Sequence, residues 1–208
     1  MKLYYATGTC SLSPHIVAME ADIALDRERV DIMRQPHLTE AGADYAAVNP
    51  NRYVPALALD DGTVLTEGAA IVQYLADLAP QTGLAPAAGT LARVKLQSWL
   101  GFIATELHKM YSPWLFHPEY GEQAANVARA KIAERLGFVE AQLAAGGPFL
   151  MGATFTAADA YLFTIVGWSG YAKVDLSGFP ALGDYMARVG SRPAVIAAMR
   201  AEGMKVAA

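Results

Sequence analysis

Leu3-Tyr4-Tyr5-Ala6-Thr7-Gly8-Thr9-Cys10-Ser11-Leu12-Ser13-Pro14-His15 packs a strand, a turn and a helix start into one short run. Leu3 to Ala6 predicts a strand, rich in the aromatic and aliphatic side chains that suit a pleated surface. Ser13 as N-cap and Pro14 at the first helical position predict a helix from Pro14 to Ala21. Cys10 falls between them, just in front of that helix. A thiol there feels unpaired N–H groups and the positive end of the helix dipole, which favour thiolate. Cys10-Ser11-Leu12-Ser13 has the spacing of a C-x-x-C redox motif with serine in the second place. Cys10 is the only cysteine, so any disulfide chemistry requires a thiol from outside. The alternative is a small, buried, inert residue, and both readings stay open on these residues alone.

Working outward, Arg29-Val30-Asp31-Ile32 predicts a second strand, followed by a polar loop holding Gln35, Pro36 and Gly42. Val54 to Leu59, the turn Asp60-Asp61-Gly62, and Thr63-Val64-Leu65 form a hairpin signature. Glu67 to Leu78 predicts a helix with Ile71, Leu75 and Leu78 on one face. The result is a compact α/β domain over residues 1–80. The Pro- and Gly-containing stretch at 81–87 reads as a linker, and 88–208 as an all-helical domain. Its first helix runs from Leu91 to Tyr111, stopped by Ser112-Pro113. A second spans Gln123 to Ala144, before Gly146-Gly147-Pro148. Thr156-Ala157-Ala158-Asp159 has the form of a capping box. Phe179-Pro180 and Arg192-Pro193 each introduce a shorter terminal helix.

Composition narrows the function. The 208 residues are 54% hydrophobic with a formal net charge of −4, and the mean hydropathy is +0.23 at a pI near 5.5. The apolar surplus suggests surface hidden in a subunit interface. The acidic balance argues against nucleic-acid binding. One cysteine supplies no disulfide framework, as expected of a reducing compartment. No signal peptide is expected from the opening residues, where Tyr4, Tyr5, Thr7, Gly8 and Thr9 stand in place of a long apolar run, and no stretch approaches the ~18 apolar residues of a membrane span. A cytoplasmic protein is expected.

Glu67-Gly68 opens a helix whose N–H groups make a carboxylate site, and the Glu67 side chain is suited to an ammonium. Glu67 also reads simply as a charge answering the helix dipole. Val54-Pro55 leads into a strand; by itself the sequence favours a trans bond, since only about one X-Pro bond in twenty is cis. On the helix from Leu91, the residues Leu96, Leu100, Ile103, Leu107 and Met110 face a core. Gly101, Thr105, His108 and Ser112 form a small, polar stripe of the kind that lines a cleft. His108 is either a thiol's proton partner or an ordinary hydrogen-bonded histidine. Trp168 and Tyr171 read as core, with a place lining the cleft as the open alternative. H-E-x-x-H, Walker A and G-x-G-x-x-G motifs are absent, the histidines lack metal-ligand spacing, and no G-x-S-x-G elbow supports a serine nucleophile.

Taken in order, Met1-Lys2-Leu3-Tyr4-Tyr5 through Cys10-Ser11-Leu12-Ser13-Pro14-His15, Val48-Asn49-Pro50, Val54-Pro55, Leu65-Thr66-Glu67-Gly68 with Ala70-Ile71-Val72-Gln73-Tyr74-Leu75, Glu106-Leu107-His108-Lys109, and Phe155-Thr156 through Tyr161 closely resemble the bacterial beta class of glutathione S-transferases. The resemblance covers essentially the whole chain. It implies a thioredoxin-like N-terminal domain followed by an all-helical domain, a homodimer, glutathione as co-substrate with no metal, and a cis Val54-Pro55 bond. It also implies conjugation to small hydrophobic electrophiles, with thiol–disulfide exchange through a mixed disulfide at Cys10.

In that resemblance Cys10 faces the glutathione sulfur, with Ser11 and His108 as catalytic neighbours. Val54 and Pro55 meet its cysteinyl backbone, and Glu67 and Gly68 its γ-glutamyl end. Arg34 or His37 meets its glycyl carboxylate. Thr105, Glu106, His108 and Lys109 approach from the helical domain, Glu106 across the dimer. Gly68 stands where many relatives carry serine, and Gly101 where the family has asparagine. A glutathione-dependent isomerase, dehalogenase or peroxidase, or a non-catalytic binding protein on the same fold, are the alternatives.

Overall fold

A computed structural model describes residues 1–206 of the chain. They form two compact units, Met1–Leu84 together with the chain from Arg192 onward, and Ala85–Ser191. The division lies between Leu84 and Ala85. The segment from Arg192, expected within the helical domain, packs instead with the first unit, because α9 (Pro193–Ala201) lies against α1 (Leu12–Glu20). Arg192 fastens this packing through a two-pronged ion pair with Glu20, at 2.6 and 2.8 Å.

The first unit is a five-stranded sheet in the order β3-β2-β1-β4-β5. β1 (Lys2–Tyr5) runs parallel to β2 (Asp26–Asp31) and antiparallel to β4 (Ala56–Ala58). β5 (Val64–Leu65) completes the expected hairpin, with Leu57 opposite Leu65. β3 (Leu38–Thr39) lies antiparallel to β2, within what the sequence marks only as a polar loop. Leu3 and Leu57, paired across β1 and β4, are fully buried along with Ile16 and Val17 of α1 and Ile71, Val72 and Leu75 of α2 (Gly68–Leu78). Removing each such side chain from water contributes about 1.5–3 kcal/mol.

α1 begins two residues earlier than expected. Ser11, not Ser13, is its N-cap residue, and Pro14 sits inside the first turn. Proline is tolerated there because first-turn N–H groups have no intrahelical acceptor. The peptide bonds Gln35-Pro36, Val54-Pro55 and Ser112-Pro113 are cis. The resemblance anticipates the second; the other two carry no signal that the sequence reading recognised.

Helices build the second unit. Thr90 caps α3 (Leu91–Phe102) by accepting from the Arg93 backbone. The helix continues as a π-helical segment, Ile103–His108, and ends in α4 (Lys109–Tyr111). α5 spans Glu122–Gly146 and buries Ala125, Ala128, Ile132, Leu136, Val139 and Leu143, a spacing of three and four residues that keeps one stripe inward. Every residue of α6 (Ala157–Val166) is buried. The capping box is present: Asp159 accepts from the Thr156 backbone and hydroxyl, both at 2.8 Å. α7 (Ser169–Ala172) and α8 (Pro180–Gly190) complete the unit. No helix among the described residues is long and apolar enough to cross a membrane.

Candidate active site

The candidate residues fall into two groups, one in each unit. In the first, Cys10 ends the loop between β1 and α1, half-buried and one position before the N-cap. Its thiol donates to the Val54 carbonyl at 3.2 Å. The Val54-Pro55 bond is cis, and Pro55 is buried. A Cβ built on Gly68 would meet the Pro55 ring at 3.8 Å. Cys10 is thus bonded to Val54, and the next residue, Pro55, lies beside the start of α2.

Glu67 holds that start in a conformation side chains rarely adopt, with φ +66° and ψ 112°. Such geometry costs about 1–3 kcal/mol and clusters at ligand sites. The Glu67 side chain is exposed and makes no capping bond to α2, and no acidic residue occupies the first turn. The Glu67 carboxylate thus answers the helix dipole only as a charge at the N-cap position, without a capping hydrogen bond. A helix start with open N–H groups beside an outward carboxylate suits a zwitterionic amino-acid moiety.

Ser11 does not reach outward. It is fully buried, accepts from the Ala6 backbone N–H and donates to the Ala6 carbonyl, both at 3.1 Å. Its hydroxyl also lies 2.8 Å from that of Thr9. These bonds close the Cys10 loop on itself and engage the Ser11 hydroxyl inward.

Arg34 and His37 differ sharply. A carbonyl only accepts, so His37 Nδ1 carries its proton toward Arg52 O at 3.0 Å, which leaves Nε2 to accept from Gln35 at 3.0 Å. Both ring nitrogens are engaged. Arg34 is exposed at 86% of its side chain and sits 3.6 Å from Asp31, a pairing worth little in water.

The sequence reading assigned no role to Asn49, though it quotes Val48-Asn49-Pro50. Its side chain is buried, donates to Tyr53 O at 2.8 Å and accepts from the Asn51 backbone. Tyr45 donates to the same carbonyl at 2.9 Å. Together they hold the segment entering the cis Val54-Pro55 bond. The Asn-Pro pair is a recognised turn signal, but its target is set only by folding.

In the second unit, Thr105, Glu106 and His108 lie on the π-helical segment, and Lys109 follows it. π-segments insert one extra residue per turn and often mark functional sites. His108 Nδ1 is 2.7 Å from the Tyr161 hydroxyl, and the ring meets Trp168 edge-on at 5.1 Å. Burial, aided by the Lys109 charge, lowers the His108 pKa to about 4, so the imidazole is neutral at pH 7. Thr105 is exposed and donates to the Gly101 carbonyl at 3.0 Å; a Cβ on Gly101 would meet nothing within 4 Å. Glu106 is held within its own chain by Arg135, at 2.9 and 3.0 Å. Lys109 is exposed.

Two aromatic residues depart from expectation: Tyr171 is 81% exposed and Trp168 only partly buried, both packed against Phe116. They are not core.

Comparison with known proteins agrees with this architecture. The family described as "Glutathione S-transferase, N-terminal domain" matches residues 8–78, and "Glutathione S-transferase, C-terminal domain" matches 102–193. Glutathione S-transferase GstA of Escherichia coli O157:H7 is 43% identical over 99% of this chain and 100% of its own. Two solved structures are each 41% identical over 99% of this chain and 100% of theirs. One is a sphingomonad glutathione S-transferase complexed with glutathione, at a TM-score of 0.92. The other is a bacterial beta class enzyme of Sphingomonas chungbukensis, at 0.93.

Proposed function

Because this chain belongs to the glutathione S-transferase family, with beta-class enzymes among its structural relatives, we propose that it transfers the glutathione sulfur to small hydrophobic electrophiles. The observation that carries this is the hydrogen bond from Cys10 to Val54, beside the strained Glu67-Gly68 helix start that Pro55 adjoins. A γ-glutamyl carboxylate fits the first-turn N–H groups of α2, and its ammonium fits the exposed Glu67 carboxylate. The Val54 carbonyl, which here receives the Cys10 thiol, is an acceptor for the cysteinyl N–H. Arg34, rather than the doubly engaged His37, serves the glycyl carboxylate. Thr105, Glu106, His108 and Lys109 are retained for the helical unit on the strength of the family resemblance.

In conjugation, glutathione's thiol loses its proton, its sulfur bonds to the electrophilic carbon, and the leaving group departs with the bond's electron pair. A neutral His108 acts as hydrogen-bond donor to the developing thiolate rather than as a cation. In exchange, the Cys10 thiolate attacks the glutathionyl sulfur of a disulfide and expels the other thiol. A second glutathione thiolate then releases Cys10 and leaves as glutathione disulfide.

The protein acts as a homodimer in the cytoplasm in this reading. The face proposed to meet the second copy is a groove of about 610 Å³ between α3 and α5, walled by Trp99, Phe102 and Phe138. These rings contact one another at 5.2–5.7 Å, and Phe138 is 55% exposed. Retention on immobilised glutathione, followed by a chromogenic electrophile assay, tests the function. A protein that neither binds nor turns over is not a transferase.

A further inference from the structure

Glu202 is a charged residue with nothing in its own neighbourhood of the sequence to explain it. It closes the C-terminal end of α9, yet its side chain is wholly buried. Burying a carboxylate is costly unless its lone pairs are filled, and an apolar residue of similar volume would cover α1 equally well. The groups that fill it belong to the Cys10 loop and the helix behind it. One carboxylate oxygen accepts from the Gly8 backbone N–H at 3.2 Å. The other accepts from His15 Nδ1 at 3.0 Å. The Glu202 carbonyl accepts the Thr7 hydroxyl at 3.0 Å. His15 itself is 1% exposed. Its Nε2 is the one buried side-chain nitrogen or oxygen without a hydrogen-bond partner among the described residues, so Nδ1 alone orients the ring.

We propose that Glu202 is a positioning residue for the Cys10 loop, and so for the sulfur chemistry assigned to it; the kinetic part of this rests on the transferase reading. The loop is held from two sides. On its inner side Ser11 and Thr9 tie it to Ala6. On its outer side Thr7 and Gly8 are tied to one residue more than 190 positions away in sequence. Gly8 suits this close approach: its φ is +68°, and an added Cβ would lie 3.6 Å from Met204 of the same terminal segment. Only Thr9 separates Gly8 from Cys10, so freedom at Gly8 passes directly to the thiol. Small displacements at a reacting centre cost rate far more than binding.

The experiment compares wild type, Glu202→Gln and Glu20→Gln. Glu20→Gln weakens the Arg192 pair, which holds α9 to α1 without touching the loop. Hydrogen exchange on the protein without ligand reads the Gly8 to Cys10 amides. A chromogenic electrophile assay reads kcat and KM for glutathione. The expected result for Glu202→Gln is exchange at residues 8–10 faster by about tenfold and kcat lower by about tenfold, with KM within about twofold. The first turn of α2 should exchange as before. Glu20→Gln should lower Tm and change neither readout.

If Glu202→Gln loses no more kcat and gains no more exchange than Glu20→Gln at equal loss of Tm, the residue is merely structural and the proposal falls. Should Glu202→Gln fail to fold, Thr7→Val removes only the hydroxyl bond. It is expected to speed exchange and lower kcat by about threefold, and no change in either overturns the proposal. A wild type without turnover would defeat the transferase reading instead, while the exchange result would still decide the positioning.

Discussion

Gly68→Ser should tighten glutathione binding, against the usual direction of mutation at a binding site. Gly68 is the first residue of α2, and its φ lies outside the left-handed region. A Cβ there meets Pro55 Cγ at 3.8 Å and Cδ at 4.0 Å, ordinary contact distances. Serine therefore enters without displacing anything. Its hydroxyl stands at the helix start proposed to hold the γ-glutamyl carboxylate, where a hydrogen bond to a charged group contributes about 1.5–3 kcal/mol. The carboxylate already has backbone donors, so the lower figure applies, and about 1.5 kcal/mol corresponds to about tenfold in Kd. Gly68→Ala is the control. It adds the same Cβ and removes the same backbone freedom, about 0.5–1 kcal/mol of helix stability, but brings no donor. Titration calorimetry of the three proteins should show alanine within about twofold of wild type and serine about tenfold tighter, with kcat unchanged for both. If a folded Gly68→Ser protein binds no tighter than Gly68→Ala, the γ-glutamyl carboxylate does not lie at the start of α2.

Glu67→Gly should separate stability from binding. It relieves a strain of about 1–3 kcal/mol, partly offset by a freer unfolded chain, so Tm should rise or hold while calorimetry shows much weaker glutathione binding; tight binding would dismiss Glu67 as a ligand. Cys10→Ala should abolish disulfide exchange yet leave part of the conjugation rate, because the nucleophile there is glutathione's own sulfur; undiminished exchange, or no glutathione adduct on wild type by mass spectrometry, would reduce Cys10 to a structural residue. His108, with its pKa lowered from 6.5 to about 4, binds a proton in the unfolded chain before it does in the folded one. Stability should therefore fall as pH drops from 6.5 toward 4 and level off below, and His108→Gln should narrow the Tm difference between about pH 7 and 5; an unaltered difference would contradict the buried neutral ring. Phe138→Glu should give a monomer in sedimentation equilibrium at micromolar concentration, and a dimer that persists would place the interface elsewhere.

The regular elements were legible because their signals are local. Val54 to Leu65 alternates around Asp-Asp-Gly and becomes β4 and β5; Thr156 and Asp159 are three apart and form their box. Boundaries moved where two local signals competed. Ser13-Pro14 is a good helix start, but the bonds from Ser11 to Ala6 begin α1 earlier, and those depend on where β1 ends. β3 was missed because two residues carry no period, and its pairing with β2 is the only thing that makes it a strand. The π-helical segment is equally silent in sequence, since its residue types would suit an α-helix. Of the two readings of Trp168 and Tyr171, the core one fails because apolar composition says a side chain prefers cover, not whether cover is there.

The sequence by itself determined the order of the main elements, β3 aside, the strand–turn–helix that carries Cys10, and, through motifs spread along the chain, the family. Those properties depend on residues near one another, or on a pattern preserved as a string. Only the tertiary structure decided which partner each flagged residue meets: the Ser11 hydroxyl bonds to Ala6, the His37 ring to Arg52 and Gln35, and the Glu106 carboxylate pairs with Arg135, while Glu67 faces outward at a strained φ. It also decided that the last helix joins the first unit, bringing Glu202 against Gly8 and His15. Hydrogen-bond capacity is finite, and which partner takes it up is settled by proximity in space, which residues distant in the chain acquire only on folding.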